Sequence, residues 1–290
     1  MTLALVASIH ARLLNRAKAR DEDFNLILTR YALERLLYRL SLVPAREVFW
    51  LKGAMLFDLW FDVPHRPTRD ADFLGFGPMD IEVLTATIRE ICGVAVDDGM
   101  NFDSDSIAIE EIREDARYGG LRVRLVGRLG NARCTVQIDV GYGDAVTPGP
   151  EEAVYPTLLD DLPAPRLRVY PRATVVAEKL EAIVSLGMAN SRMKDFFDLR
   201  VLAHEGMLDP HRLGDAIAAT FQRRGTEIPA EVPLGLSDEF ARDAAKRAQW
   251  QAFLGKNRLD APTLGEVIAE IQRFVAEPLA LARLKKAASR

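Results

Sequence analysis

Two aspartates, Asp70 and Asp72, are the first residues whose type and spacing indicate chemistry. They lie in a segment with strand character, 70–76, where side chains two positions apart point to the same face. Two carboxylates on one face can bridge a pair of Mg²⁺ ions about 4 Å apart, which aligns the attacking and leaving oxygens in phosphoryl and nucleotidyl transfer. Because Asp-x-Asp pairs also occur at solvated strand ends, this one indicates a two-metal site only with further support.

Two other positions give that support. Gly53 stands at a predicted junction between a strand and a helix, where free backbone N–H groups and the helix dipole can receive a phosphate. Asp139 lies in the strongly β-forming run 135–140, where a buried charge would be costly without a partner. A third carboxylate on a neighbouring strand would complete a two-metal site with Asp70 and Asp72.

Lys179 is predicted to lie on the apolar face of a helix, because its helical neighbours are Val175, Ala182 and Leu186. A desolvated lysine that faces the carboxylates would neutralise the triphosphate of a nucleotide. The alternative is a lysine whose stem covers apolar surface while its ammonium group stays in water.

Asp195 shares a predicted helical face with Leu199, and Arg192 lies three residues before it as a ready partner. Its functional interpretation is that it orients Lys179 or accepts the proton of an attacking hydroxyl. A structural salt bridge is the alternative. Asp198 is expected to have a structural role, and His65 is the histidine with the best chance of reaching the site.

The apolar periodicity and the glycine and proline positions predict the elements that hold these residues. In the first half we expect helices at 24–42, 54–61 and 78–92, and strands at 48–51, 70–76, 106–112, 121–129 and 132–140. Turns at 119–120 and 130–131 favour antiparallel pairing of the last three strands. In the second half we expect helices at 173–189, 192–204, 210–223, 237–253 and 263–284.

The sequence therefore predicts an α+β fold, with a mixed or antiparallel sheet flanked by helices and a helical C-terminal domain. We expect the α/β domain to span residues 1–150 and the helical domain residues 172–290. Residues 151–171 are predicted to be a proline-rich connector with little regular structure, since six prolines fall between 148 and 171.

The 290 residues include 38 Lys and Arg and 42 Asp and Glu. A charged fraction of 28%, a mean hydropathy near zero and only 15 prolines exclude disordered and fibrous classes. The charge is unevenly distributed, with thirteen acidic and two basic residues in 70–115 and four basic and no acidic residues in 1–20. Residues 166–200 carry seven basic and four acidic residues. An acidic pocket for metal ions can therefore coexist with basic segments for a nucleic acid.

No apolar run approaches the roughly 20 residues of a membrane span, and the N-terminal charges follow the apolar stretch, unlike those of a signal peptide. We therefore expect a cytoplasmic protein without a membrane partner. Cys92 and Cys134 are isolated, so we expect buried thiols and neither a disulfide nor a zinc site.

Five motifs together resemble a known family in order and spacing, the AbiEii/AbiGii-type nucleotidyltransferase toxins of the polymerase-β-like superfamily. These motifs are LKGA (51–54), RPTRDAD (66–72), QIDV (137–140), AEKL (177–180) and RMKDFFDL (192–199). The resemblance covers roughly residues 46–205. It implies a Mg²⁺-dependent enzyme that adds nucleotides from an NTP to RNA, notably the 3′ acceptor end of tRNA. It also implies a DNA-binding antitoxin partner with a winged-helix domain.

By this resemblance, Asp70 and Asp72 are metal ligands, Lys179 binds the nucleotide phosphate, and Asp195 is the second essential acid. Asp139 matches the third carboxylate of the superfamily, and is thus a further candidate metal ligand. The segment Lys52-Gly53-Ala54 is the expected nucleotide-binding turn. Many members have Gly-Gly-Ser or Gly-Gly-Thr after the lysine, whereas this chain has Gly53-Ala54-Met55 and lacks the phosphate-binding hydroxyl.

The leading hypothesis is a Mg²⁺-dependent toxin of a toxin–antitoxin system that transfers NMP from an NTP to RNA, with the 3′ end of tRNA as the expected acceptor. One alternative is a nucleotidyltransferase that modifies a small molecule, as antibiotic nucleotidyltransferases do. Another is a binding module that keeps the fold without turnover, which the missing hydroxyl motivates.

Overall fold

A computed structural model of the chain describes residues 2–61, 66–115, 118–204 and 208–288. The chain divides into two compact units. The first comprises Met1–Gly143 and Glu151–Val169, and the second comprises Asp144–Pro150 and Tyr170–Arg290.

In its described residues, the first unit contains a seven-stranded mixed sheet and four α-helices. The helices are α1 (Leu3–Ala19), α2 (Phe24–Ser41), α3 (Met55–Trp60) and α4 (Ile81–Gly93). The strands are β1 (Phe49–Lys52), β2 (Asp70–Gly75), β3 (Met100–Asp115), β4 (Tyr118–Leu129), β5 (Ala132–Tyr142), β6 (Glu151–Val154) and β7 (Arg166–Val169). Their order is β3-β4-β5-β2-β1-β7-β6, with β2 parallel to β5 and β1 parallel to β7, and the other neighbours antiparallel.

The helices α2 and α4 cover one face of this sheet. Apolar side chains of α2 and α4, such as Leu36 and Ile88, line one apolar cavity together with side chains of β2 and β5. The strand residues that line it include Ala71, Phe73 and Val140. Because side chains alternate along a strand, the residues between these apolar positions point to the opposite face. This alternation places the even-numbered aspartates of β2 away from the helix-covered core.

The second unit is helical. Its helices are α5 (Arg172–Leu186), α6 (Met193–His204), α7 (Pro210–Arg224), α8 (Asp238–Arg242), α9 (Ala244–Asn257) and α10 (Leu264–Ala288). Aromatic contacts join three of them: Phe196 of α6 stacks on Phe240 of α8, and Phe197 of α6 lies against Trp250 of α9. These buried rings anchor α6, which carries candidate site residues.

The predicted α+β class, with a mixed sheet and a helical C-terminal region, is confirmed. One predicted helix, 237–253, is instead two helices, because the carboxylate of Asp243 accepts from the backbone N–H of Lys246 and caps the start of α9. The segment 151–171 also differs from the prediction of little regular structure, since β6 and β7 pair antiparallel within it. Its prolines lie outside these two short strands.

The hairpin that joins β4 and β5 has the predicted turn at Gly130 and Asn131. The other predicted turn is wrong, because Gly119 and Gly120 lie within β4 and pair with β3. Residues 116 and 117, between these two strands, are outside the described part of the chain.

Cys92 and Cys134 are half-buried and form no disulfide, and burial raises the pKa of each thiol to about 11. No helix among the described residues is long and apolar enough to cross a membrane.

Candidate active site

Three carboxylates converge on the sheet face opposite to the one that α2 and α4 cover. Asp70, Asp72 and Asp139 each offer an oxygen within 4.8 Å of the others. The cause is the parallel pairing of β2 with β5, which places Asp72 beside Asp139 and Asp70 beside Gln137. The sheet register thus brings residues that are far apart in the sequence into one carboxylate cluster, the name used below for these three aspartates.

Thr68 fixes the orientation of Asp70. Its hydroxyl, in a residue only 7% exposed, donates a hydrogen bond of 2.8 Å to Oδ1 of Asp70. The second carboxylate oxygen of Asp70 does not take part in this bond. Thr68 therefore holds the carboxylate in place while leaving it an oxygen for another ligand.

Arg122 of β4 binds Asp139 through both carboxylate oxygens. Its Nε donates to Oδ1 at 2.8 Å and its Nη2 to Oδ2 at 2.6 Å. These hydrogen bonds outweigh the effect of burial and raise the pKa of Arg122 above its ordinary value. Asp139 is thus already engaged by a cation, in contrast to the threonine-bound Asp70.

Four charged residues lie in one row across four neighbouring strands. The register pairs Lys52 of β1 with Asp72, Asp72 with Asp139, and Asp139 with Arg122. Residues directly opposite each other on neighbouring strands point to the same face of a sheet. This charge row, Lys52–Asp72–Asp139–Arg122, therefore places two anions between two cations.

The backbone after β1 passes directly against Asp72. Gly53 has a φ of +73°, and a Cβ atom at this position would lie 1.9 Å from Oδ2 of Asp72. Only glycine fits a left-handed conformation at this distance from a carboxylate. Ala54 follows it and precedes the first residue of α3.

The carboxylate cluster is suited to Mg²⁺. Magnesium prefers hard oxygen ligands, and it is commonly held by one or two carboxylates together with water and substrate phosphates. Asp70 and Asp72 can supply two such carboxylates from one strand. Asp139 fits as a third ligand through the remaining lone pairs of its arginine-bound carboxylate.

A second group of charges lies in the helical unit. Nζ of Lys179 on α5 donates to Oδ1 of Asp195 at 2.8 Å and to Oδ2 of Asp198 at 2.7 Å, and both aspartates are fully buried. Nε of Arg192 lies 2.7 Å from Oδ2 of Asp195. We call Lys179, Asp195, Asp198 and Arg192 the buried charge cluster.

The buried charge cluster keeps Asp195 ionised. Burial by itself would raise the pKa of Asp195, but the positive charges of Lys179 and Arg192 oppose this effect and lower the pKa below its ordinary value. A carboxylate with a lowered pKa is a weak proton acceptor. The hydrogen bond that Asp195 accepts from Lys179 is suited instead to orienting the lysine side chain.

The structure thus groups the sequence-predicted candidates in two places. Asp70, Asp72, Asp139, Lys52 and Gly53 lie together in the first unit, with Ala54 following Gly53. Lys179 and Asp195 lie together in the second unit. His65 lies outside the described residues.

Sequence reasoning missed the contacts of Thr68, Arg122 and Asp198. Thr68 stands two residues before Asp70, within the same motif. Arg122 could have been found by counting from the two-residue turn at 130–131, because this turn fixes the register that pairs position 122 with position 139. Asp198 is one helical turn after Asp195, so one lysine can reach both carboxylates.

Comparison with known proteins gives a family match over most of the chain. Residues 35–277 match the family model described as "Nucleotidyl transferase AbiEii toxin, Type IV TA system". No curated protein matches the chain significantly.

Two solved structures from Helicobacter pylori are similar. The crystal structure of JHP933 has 14% sequence identity and a TM-score of 0.50, covering 91% of this chain and 95% of that one. The second, described as a possible nucleotidyltransferase, has 15% identity and a TM-score of 0.48, covering 89% of this chain and 96% of that one. At this level of identity, the similarity to JHP933 supports the fold alone.

The family match identifies the chain as a nucleotidyltransferase. It belongs to the AbiEii family of nucleotidyltransferase toxins, which are components of type IV toxin–antitoxin systems. Membership implies an NTP substrate and an antitoxin partner, and families of this enzyme class usually use a divalent metal. The resemblance stated from the five sequence motifs is therefore confirmed.

Proposed function

We propose that this nucleotidyltransferase is Mg²⁺-dependent and transfers NMP from an NTP to a 3′ hydroxyl of RNA, with the acceptor end of tRNA as its target. The observation that carries the proposal is the carboxylate cluster, in which three aspartates from β2 and β5 lie within 4.8 Å of one another. Family membership supports the reaction class, and the basic N-terminal helix supports the acceptor class.

In this proposal Asp70 and Asp72 bind the metal, with Asp139 as the third ligand. Bound Mg²⁺ supplies charge neutralisation at the phosphates and activation of the attacking hydroxyl. Thr68 holds Asp70 in the orientation needed for binding. Gly53 lets the main chain approach Asp72 closely, so that the turn Lys52-Gly53-Ala54 can line the nucleotide site.

Lys179 binds the nucleotide phosphates in this proposal, and Asp195 orients it. Two aspartates hold the ammonium group at 2.8 and 2.7 Å, which favours its charged form. A charged lysine stabilises negative charge that develops on phosphate oxygens. The lowered pKa of Asp195 supports orientation of Lys179 rather than proton abstraction.

RNA as the acceptor is supported by the distribution of charge. The first twenty residues carry four basic and no acidic side chains, and Lys18 and Arg20 at the end of α1 are exposed. Basic side chains on a surface bind the phosphate backbone, and such binding weakens steeply with salt. A small-molecule acceptor would need no such surface.

The test is to incubate the protein with Mg²⁺, total RNA and each labelled NTP in turn, and to follow label on RNA. We expect label on tRNA with the wild type and its loss in Asp70→Asn. Asp105→Asn is the matched control, because Asp105 is an exposed aspartate on β3 outside the carboxylate cluster and its variant should keep the activity.

Each outcome decides between the hypotheses. Label on tRNA that needs Mg²⁺ and Asp70 supports the proposal. Release of pyrophosphate with a small-molecule acceptor, but no label on RNA, would show that the acceptor is a small molecule and not RNA. No transfer with any NTP and any acceptor, from a protein that is folded by circular dichroism, would contradict the proposal in favour of a binding module.

A further inference from the structure

Three arginines line one cavity of the first unit. The cavity has a volume of about 100 Å³ and lies between the C-terminal end of α1, α2, α3 and the segment 155–158. Arg16 and Arg20 come from α1 and Arg30 from α2. Thr68 also lines it, and its hydroxyl donates to Asp70 of the carboxylate cluster. A single residue, Thr68, therefore separates the cavity from the candidate metal ligand Asp70.

The charges of these three arginines are only partly compensated. Arg30 lies 3.1 Å from Asp58, which also lines the cavity, and 3.9 Å from Glu22, which does not. Arg16 donates from Nη1 to the carbonyl of Leu158 at 2.9 Å, while its Nε is buried without a hydrogen-bond partner. Among the described residues, no carboxylate forms an ion pair with Arg16 or Arg20. The cavity therefore keeps an excess of positive charge.

The other acid that lines the cavity is already engaged. Both oxygens of Glu34 have partners: Arg35, with Nη2 2.6 Å away, and the backbone N–H of Leu158, which donates at 2.5 Å. Arg35 is fully buried and does not line the cavity. Glu34 thus compensates mainly Arg35, outside the cavity, and acts on Arg16 only as a more distant charge.

We propose that this arginine pocket, lined by Arg16, Arg20 and Arg30, binds a phosphate group of a substrate of the transfer reaction. The inference rests on the proposed function, because the phosphate belongs to the acceptor RNA or to the NTP. Guanidinium groups match phosphate oxygens through two parallel hydrogen bonds. The volume of the cavity, about 100 Å³, is large enough for several water molecules and therefore for one phosphate group.

The electrostatics of the arginine pocket agree with this assignment. Burial lowers the pKa of Arg16, and the charges of Arg20 and Arg30 lower it further, while the charges of Asp160 and Glu22 oppose this effect only in part. Within the lining, Asp58 pairs with Arg30, so the mutual repulsion of three cations at a partly buried site favours the binding of a further anion. A bound phosphate would supply that anion beside Thr68, and would hold its substrate next to Asp70.

The test measures binding without Mg²⁺, so that no turnover occurs. Labelled bulk tRNA is titrated by fluorescence anisotropy and each NTP by calorimetry, against the wild type, Arg20→Ala and Arg16→Lys. Arg16→Lys keeps the charge and removes the guanidinium fork. Arg89→Ala is the matched control, because it removes one exposed arginine of the first unit that does not line the pocket and lies outside the basic segment at the N-terminus.

We expect Arg20→Ala to weaken binding of one ligand class about tenfold, the size of a lost charge-assisted hydrogen bond. If that ligand is tRNA, the slope of log affinity against log salt should fall by about one. Arg16→Lys should weaken binding of the same ligand, and Arg89→Ala should change its affinity by less than about threefold. Weaker tRNA binding assigns the phosphate to the acceptor, and weaker NTP binding assigns it to the nucleotide.

The inference is overturned if neither ligand binds more weakly to Arg20→Ala and Arg16→Lys, or if Arg89→Ala weakens binding as much as Arg20→Ala does. Thermal unfolding of each variant checks that it is folded. Because binding is measured without turnover, the two proposals fail in different experiments. Failure of the arginine pocket would appear as unchanged binding by the variants, whereas failure of the proposed function would appear as no nucleotide transfer by the wild type.

Discussion

Replacing Asp195 with asparagine perturbs the buried charge cluster by one charge at nearly constant volume. Removal of one partner from a buried ion pair typically costs about 3–5 kcal/mol, because an uncompensated charge remains. Here Lys179 keeps Asp198 at 2.7 Å, and Arg192, whose side chain is 36% exposed, can be hydrated. We therefore expect the lower end, about 3 kcal/mol, or roughly a 150-fold change in the unfolding equilibrium of the second unit.

The assay should report on the second unit alone. The chain has three tryptophans, of which Trp250 lies in α9, with its ring 6.4 Å from that of Phe197 on α6. Replacing Trp50 and Trp60 with phenylalanine leaves Trp250 as the fluorescent probe for urea unfolding. Asp215→Asn is the matched control, because Asp215 pairs with Lys285 at the surface, where an ion pair contributes about 0–1 kcal/mol.

The stabilising contribution of Asp195 depends on pH in a direction that follows from its pKa. The pKa of Asp195 is lowered in the folded state, so its stabilising contribution is present above the ordinary aspartate pKa and is lost as the pH falls through the folded value. The stability difference between wild type and Asp195→Asn should therefore narrow in acid. A cost for Asp195→Asn no larger than that for Asp215→Asn at neutral pH would refute the reasoning.

Three further substitutions test the first unit. Gly53→Ala adds a Cβ atom that would lie 1.9 Å from Oδ2 of Asp72, so we expect weaker Mn²⁺ binding in calorimetry. The positive φ should also lower the free energy of unfolding by about 1–2 kcal/mol. An unchanged Mn²⁺ affinity would contradict this expectation. Arg122→Met removes a cation from Asp139, so Mn²⁺ affinity should rise about tenfold, and a fall would show that the arginine instead positions the carboxylate. Burial raises the pKa of Glu34 to about 7, so its ionisation lowers the stability of the folded state as the pH rises from about 4.5 to 7. Glu34→Gln should remove this loss of up to about 3 kcal/mol, measured by urea unfolding. Parallel curves of stability against pH for the two proteins would disprove this prediction.

Local patterns were sufficient to predict where the carboxylates of β2 point. Asp70 and Asp72 alternate with the buried Ala71 and Phe73, and this period of two is visible in the sequence. The position of Asp139 followed only as a hypothesis, because the parallel pairing of β2 with β5 joins segments that no short turn connects. The resemblance to a family supplied what periodicity could not.

Other features depend on tertiary packing, which single-sequence patterns do not contain. The period of 3.6 residues indicates that Lys179 and Asp195 face apolar surroundings, but the ion pairs with Asp195 and Asp198 require the packing of α5 on α6. The break between α8 and α9 depends on one capping carboxylate, Asp243, within a run of good helix formers. The arginine pocket is likewise assembled from segments distant in the sequence.

The charge row has a consequence for the order in which the enzyme and its ligands assemble. Lys52 and Arg122 bring two positive charges to the row of Asp72 and Asp139, so these two anions are balanced before any ion arrives. The sheet can therefore fold without waiting for a metal, unlike sites in which bare carboxylates repel each other until a cation joins them. A dication that enters such a balanced row is held most favourably when it arrives together with the negative charge of a nucleotide.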